Sequence, residues 1–182
     1  MAQGDAATTL PGRSLLRHLE RVGKGSAITN EIFGLVGRSL FFAEFSREDI
    51  SILTSYMDVY RVQRDKIIIR ENDGGDYVLL IIEGSVDITK KSMRGERQHM
   101  TTAGPGMTLG EMSMIDGEPR FATCIATGPT VFAVLHRDDM AKIILDQPSL
   151  GSKILVKLVS MLSSRLRQTS ARLLQYMERG NL

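Results

Sequence analysis

One cysteine and three histidines are all the thiol and imidazole groups that 182 residues offer toward metal or redox chemistry. A lone Cys124 excludes an intrachain disulfide. None is needed, because a chain of this length buries about two thirds of its unfolded surface as one domain with appendages. His18, His99 and His136 have no ligand-like neighbour at short spacing, so no metal site is expected. Cys124 sits among apolar residues, where an inert thiol is the ordinary outcome, and no serine stands in a Gly-x-Ser-x-Gly turn. Neither pattern supports an enzyme. Long apolar runs are also missing: no window approaches the ~20 apolar residues of a membrane-spanning helix, and the first residues lack the apolar core of a secretory signal. A reducing cytoplasm is therefore the expected setting. An excess of one sign of charge is missing as well, and a net +2 argues nothing about nucleic acid by itself.

What is present changes texture along the chain. Residues 1–30 read as a mobile tail, small and polar up to Pro11-Gly12. Within it Leu15, Leu16, Leu19 and Val22 form a short helical pattern studded with Arg13, Arg17, Arg21 and Lys24, stopped by Gly23 and Gly25. Such a basic amphipathic turn suits packing on the domain, a membrane surface or an acidic partner. Residues 31–147 hold the main domain. Helical spacing from Glu31 to Leu40 and from Ser46 to Met57, with Ser46 and Asp49 placed as a capping box, predicts two helices. Short runs rich in Val, Ile and Thr follow, at 67–69, 77–82, 86–89, 122–126 and 131–135, punctuated by glycine turns. The expected fold is mainly β with flanking helices: an antiparallel β-roll, jelly-roll-like, of about eight strands, with N-terminal helices and a long C-terminal helix.

Residues 148–182 carry that helix. After a short helix at 137–145, Pro148 restarts the chain, and a helical pattern runs from Leu150 to Arg179. Leu155, Val159, Leu162, Leu166, Thr169, Leu173 and Tyr176 alternate in steps of four and three, a heptad seam. The seam packs either on the helix's own barrel or against a parallel second copy. Its length favours a homodimer. From Ser149 onward Lys153, Lys157, Arg165, Arg167, Arg172 and Arg179 face one acid, Glu178, which reads as a solvated face or a surface for an acidic protein, with DNA a poor third.

The densest chemistry lies in Gly110-Glu111-Met112-Ser113 and Pro119-Arg120-Phe121-Ala122-Thr123. Arg120 can meet the two free oxygens of a cyclic phosphodiester in a forked, charge-assisted geometry. Amides of the turn opened by Met112 and Ser113 add donors toward the same anion. Glu111 would repel a phosphate, so its useful role is to accept from a ribose hydroxyl. Gly110 allows close backbone approach.

These segments, with 71–76, Glu83-Gly84-Ser85-Val86 and Gly104-Pro105-Gly106 in order and approximate spacing, resemble the cyclic-nucleotide-binding family over residues 40–170. The resemblance implies a phosphate-binding cassette of Gly110, Glu111, Met112, Ser113, Arg120, Phe121 and Ala122. It also implies base contact by Thr169 and Ser170, one hydroxyl serving the partner subunit's ligand. Two positions depart from the family: Leu109 stands where Phe is usual, and Phe121 where Ala, Ser or Thr is usual. In the family a Thr at that position goes with preference for guanine, so the resemblance implies that its absence at 121 leans against cyclic GMP. The expected ligand is therefore cAMP, with cGMP or cyclic di-GMP as alternatives, and a nucleotide-free scaffold as the competing reading. Only Leu182 follows Glu178-Arg179-Gly180-Asn181, leaving no room for a helix-turn-helix, so the expected output is to an unidentified downstream protein.

Overall fold

A computed structural model describes residues 13–35, 39, 41–42 and 44–180. The expectation for residues 1–12 lies outside these. The chain enters through α1 (Arg13–Leu16) and β1 (Glu20–Lys24), then passes a 3₁₀ turn, α2 (Thr29–Gly34) and α3 (Arg47–Ser55). Five strands come next: β2 (Asp58–Val62), β3 (Ile67–Ile69), β4 (Tyr77–Glu83), β5 (Val86–Lys91) and β6 (Arg97–Ala103). β7 (Thr108–Leu109), α4 (Glu111–Asp116), β8 (Thr123–Ala126) and β9 (Thr130–His136) follow, then α5 (Arg137–Asp146) and α6 (Pro148–Gly180). The strands form two antiparallel sheets, ordered β1-β2-β9-β4-β7 and β3-β8-β5-β6. This is the β-roll the sequence predicts, with nine strands among the described residues.

Strand β4 shows why the roll closes. Tyr77, Leu79 and Ile81 face inward with Ile68, Phe132 and Val134, between the sheets. Val78, Leu80 and Ile82 face outward onto a second core built with Phe42, Ile50, Leu53 and Ile143 from the helices. Both faces are covered, so the strand reads as one apolar run without alternation. Each such side chain contributes roughly 1.5–3 kcal/mol on burial.

Helix α3 starts as its sequence predicts. Asp49 N donates to Ser46 Oγ (3.0 Å) and Ser46 N donates to Asp49 Oδ2 (2.8 Å), a complete capping box. Asp49 also binds Lys153 of α6 at 2.5 Å, and Lys157 pairs with Glu44. Leu150, Ile154 and Leu158, at helical spacing, bury the first third of α6 in the outer core. The heptad seam points elsewhere: Val159, Leu166, Leu173 and Tyr176 are 61%, 68%, 59% and 73% exposed.

The tail expected over residues 1–30 needs correction. Beyond one turn of α1, residues Glu20–Lys24 are an edge strand paired with β2, with a bulge between Arg21 and Gly23. Arg21 and Lys24, taken from sequence as a helical basic face, both pair with Asp58 on the neighbouring strand, at 2.6 and 2.9 Å. Cross-strand ion pairs rather than apolar alternation hold this edge. In the segment expected as a helix at 31–40, α2 ends at Gly34; residues 36–38 and 40 lie outside those described.

Candidate functional site

A cavity of about 100 Å³, open to solvent, lies where β7, α4, the start of β8 and α6 meet. Gly110, Glu111, Met112, Ser113, Arg120, Phe121 and Ala122, all predicted from sequence, line it. Thr169 and Ser170 do not; they sit on an exposed part of α6.

Arg120 is 3% exposed. Nη1 donates to Gly110 O (2.8 Å) and Nη2 to Tyr77 O (2.9 Å), while the guanidinium lies 4.2 Å from the Tyr77 ring centroid. These hydrogen-bond partners are neutral, and burial pulls the guanidinium pKa below its ordinary value, with Tyr77, Cys124 and Asp76 opposing it in part. Five N–H groups and two hydrogen bonds leave donors for a ligand anion. Two glycines make room for it. A Cβ on Gly75 or Gly110 would collide with the guanidinium, and Gly110, at φ +85°, opens α4 in the left-handed region. The loop around Arg120 is itself fixed, Arg120 N donating to Asp73 O (2.8 Å) and Asn72 N to Arg120 O (2.9 Å). Arg137 secures the far end of α4, Nε donating to Met114 O (2.7 Å) and Nη2 to Ser113 O (2.6 Å).

Glu111 is 1% exposed and bound to Arg165 of α6 at 2.5 Å. Arg165 Nη2 also donates to Thr108 O (2.9 Å), and Thr108 Oγ1 lies within 3.4 Å of the carboxylate. Burial raises the Glu111 pKa, with Arg165 countering only part of the effect. Cys124, at the cavity floor, has its thiol pushed up to about 12 by burial, the behaviour of an inert thiol.

The residues missed by the sequence reading are Tyr77, Gly75, Arg137 and Arg165. Tyr77 acts through a carbonyl and a ring face, and Gly75 through the side chain it lacks, so neither leaves a motif. Arg165 carried a signal, a guanidinium one position before the seam leucine Leu166, which was read as part of a basic face. That face is partly spent at home: Lys153, Lys157 and Arg165 pair with Asp49, Glu44 and Glu111. Among the described residues no group of three His, Cys, Asp or Glu could hold a metal, and no helix is long and apolar enough to cross a membrane.

The family profile described as "Cyclic nucleotide-binding domain" matches residues 59–147. A solved cyclic nucleotide-binding domain from Methylobacillus flagellatus is 38% identical, with a TM-score of 0.79, over 88% of this chain and 90% of that one. The Thermus thermophilus catabolite activator protein is 27% identical at a TM-score of 0.68, over 74% of this chain and 62% of that one. The cAMP-dependent protein kinase regulatory subunit of Yarrowia lipolytica is 27% identical over 115 residues, 63% of this chain. The chain spans 61% of the cyclic AMP receptor protein of T. thermophilus and 29% of that kinase subunit, less than two thirds of either. On its fold and these likenesses, the chain belongs to the cyclic nucleotide-binding domain family.

Proposed function

We propose that this chain is a non-catalytic cytoplasmic sensor that binds cAMP and signals through α6 to another protein. The observation that carries the reading is Arg120: a buried guanidinium, hydrogen-bonded to two neutral carbonyls, set on a ring face and lining a solvent-open cavity. In such a low-dielectric setting an anion is attracted far more strongly than in water. The ligand phosphate takes the remaining Arg120 donors and the amides of the first α4 turn. A ribose hydroxyl donates to Glu111. Relatives named for cyclic AMP support that ligand ahead of cGMP or cyclic di-GMP.

Arg165 supplies the coupling. It ties α6 to Glu111 and Thr108, so a sugar hydroxyl that engages Glu111 alters the pairing of a residue on the helix. Ligand can shift the helix only by its differential affinity for the two poses; a hundredfold preference corresponds to about 2.7 kcal/mol. Thr169 and Ser170 reach a base only if α6 moves or a second copy brings them, in keeping with a homodimer through this helix.

The same ion pair favours a second reading, a nucleotide-free scaffold, because Arg165 already satisfies the acid meant for the sugar. Calorimetric titration with cAMP, cGMP and cyclic di-GMP separates the two. Saturable binding, tightest for cAMP, is expected of the sensor; no heat and no thermal shift with any of the three would leave the scaffold.

A further inference from the structure

Glu71, Lys90 and Phe121 form an assembly at the cavity mouth that the phosphate and sugar contacts leave unused. Phe121 lines the cavity yet is 50% exposed, an uncommon position for a large apolar ring. Its surroundings are nevertheless fixed. Lys90 Nζ donates to Phe121 O (2.7 Å) and lies 4.0 Å from the ring centroid. The ammonium is held in turn by Glu71 Oε1 (3.0 Å), and Glu71 Oε2 accepts from Lys91 N (3.0 Å). Glu71 stays ionised in this arrangement, its pKa lowered first by the Lys91 amide and then by Lys90. A cation thus holds the ring in place while half of its surface remains open, one residue from the guanidinium assigned to the phosphate.

We propose that Phe121, clamped by Lys90 and Glu71, is the stacking platform for the ligand's base, an inference that rests on the cyclic-nucleotide reading above. A ring already fixed loses little freedom when a second ring lies on it. Every nucleobase offers a π-face, so the platform carries no hydrogen-bond code and sorts ligands by stacking area, purine above pyrimidine. Phe121 is thereby a specificity-determining residue: it accepts adenine and guanine and disfavours cytosine.

The test is calorimetry on the wild type, Phe121→Ala and Phe121→Tyr with cAMP, cyclic CMP and base-free ribose 3′,5′-cyclic phosphate. Wild type is expected to prefer cAMP over cyclic CMP. Phe121→Ala is expected to weaken cAMP by on the order of 10-fold, cyclic CMP by less, and the base-free phosphate not at all, while Phe121→Tyr keeps cAMP affinity. Unchanged or tighter cAMP binding in Phe121→Ala would overturn the platform while the sensor reading stands. An equal loss for the base-free phosphate would overturn it too, since the ring would then serve the cassette backbone. If the wild type binds none of the three, the sensor reading itself fails and the platform goes with it.

Discussion

Arg120 holds the loop together, and the proposed sensor asks it also to stay available to an anion, two jobs that conflict in solution chemistry. Its bonds to Gly110 O and Tyr77 O mean that Arg120→Ala strands two carbonyls as well as removing a charge. Arg120→Lys is the cleaner change, since it keeps the charge and loses the fork. We expect it to weaken cAMP at least ~10-fold, as the loss of one charge-assisted hydrogen bond of about 1.5–3 kcal/mol requires. Gly75→Ala should do the same with no change of charge, because the new methyl displaces the guanidinium. Calorimetry on both variants measures this; full affinity in Gly75→Ala would show that the guanidinium position does not matter. Glu111 gives a pH signature. Burial raises its folded pKa above the ordinary 4.5, so in the interval above 4.5 the folded state holds more proton than the unfolded one. Stability then falls as pH rises through that interval and stays lowered beyond it. Glu111→Gln removes the effect. Its stability relative to wild type, followed by urea denaturation across pH, should climb as pH rises past 4.5, and a relative decline would contradict the burial argument.

At the scale of elements, legibility followed burial and capping. β4 was readable because both of its faces are covered, and α3 because Ser46 and Asp49 cap each other. β6 left no such trace: six of its seven residues are exposed, and only pairing with β5 makes it a strand. β1 resembled a helix because arginines four apart suit either element, and its partner Asp58 lies far along the chain. That residues 110–113 and 120–122 share one cavity was legible because each group is contiguous and chemically unlike its neighbours. Arg165 was not, since its role depends on where α6 crosses β7, which no local pattern encodes. That crossing is testable. Arg165→Ala cuts the one ion pair between α6 and the cavity found among the described residues. Amide exchange along residues 159–178 should rise in the variant, and adding cAMP should no longer change it, although binding persists. If cAMP still protects α6 to the wild-type degree, coupling runs by another route.

The whole molecule presents a helix too long for its own domain. At 33 residues α6 spans about 50 Å, yet its buried stripe stops at Leu158, and every described side chain from Leu166 to Glu178 is exposed. Isolated helical segments of this length are marginal in water unless an apolar face is covered. The exposed face has the periodicity to be covered by a copy of itself: Val159, Leu166 and Leu173 at one set of heptad positions, Leu162, Thr169 and Tyr176 at the other. Thr169 then lies in the seam, where a polar side chain fixes register at some cost in stability. We expect a homodimer by analytical ultracentrifugation. Leu166→Glu with Leu173→Glu should yield a monomer with reduced helical ellipticity at 222 nm, because like charges facing each other replace two buried leucine layers. The same variant tests whether the ligand site is shared. If Ser170 or Thr169 of one copy serves the ligand of the other, the monomer binds cAMP more weakly while still depending on Arg120. A monomer with wild-type affinity would confine the site to one chain and leave α6 as a signalling element alone.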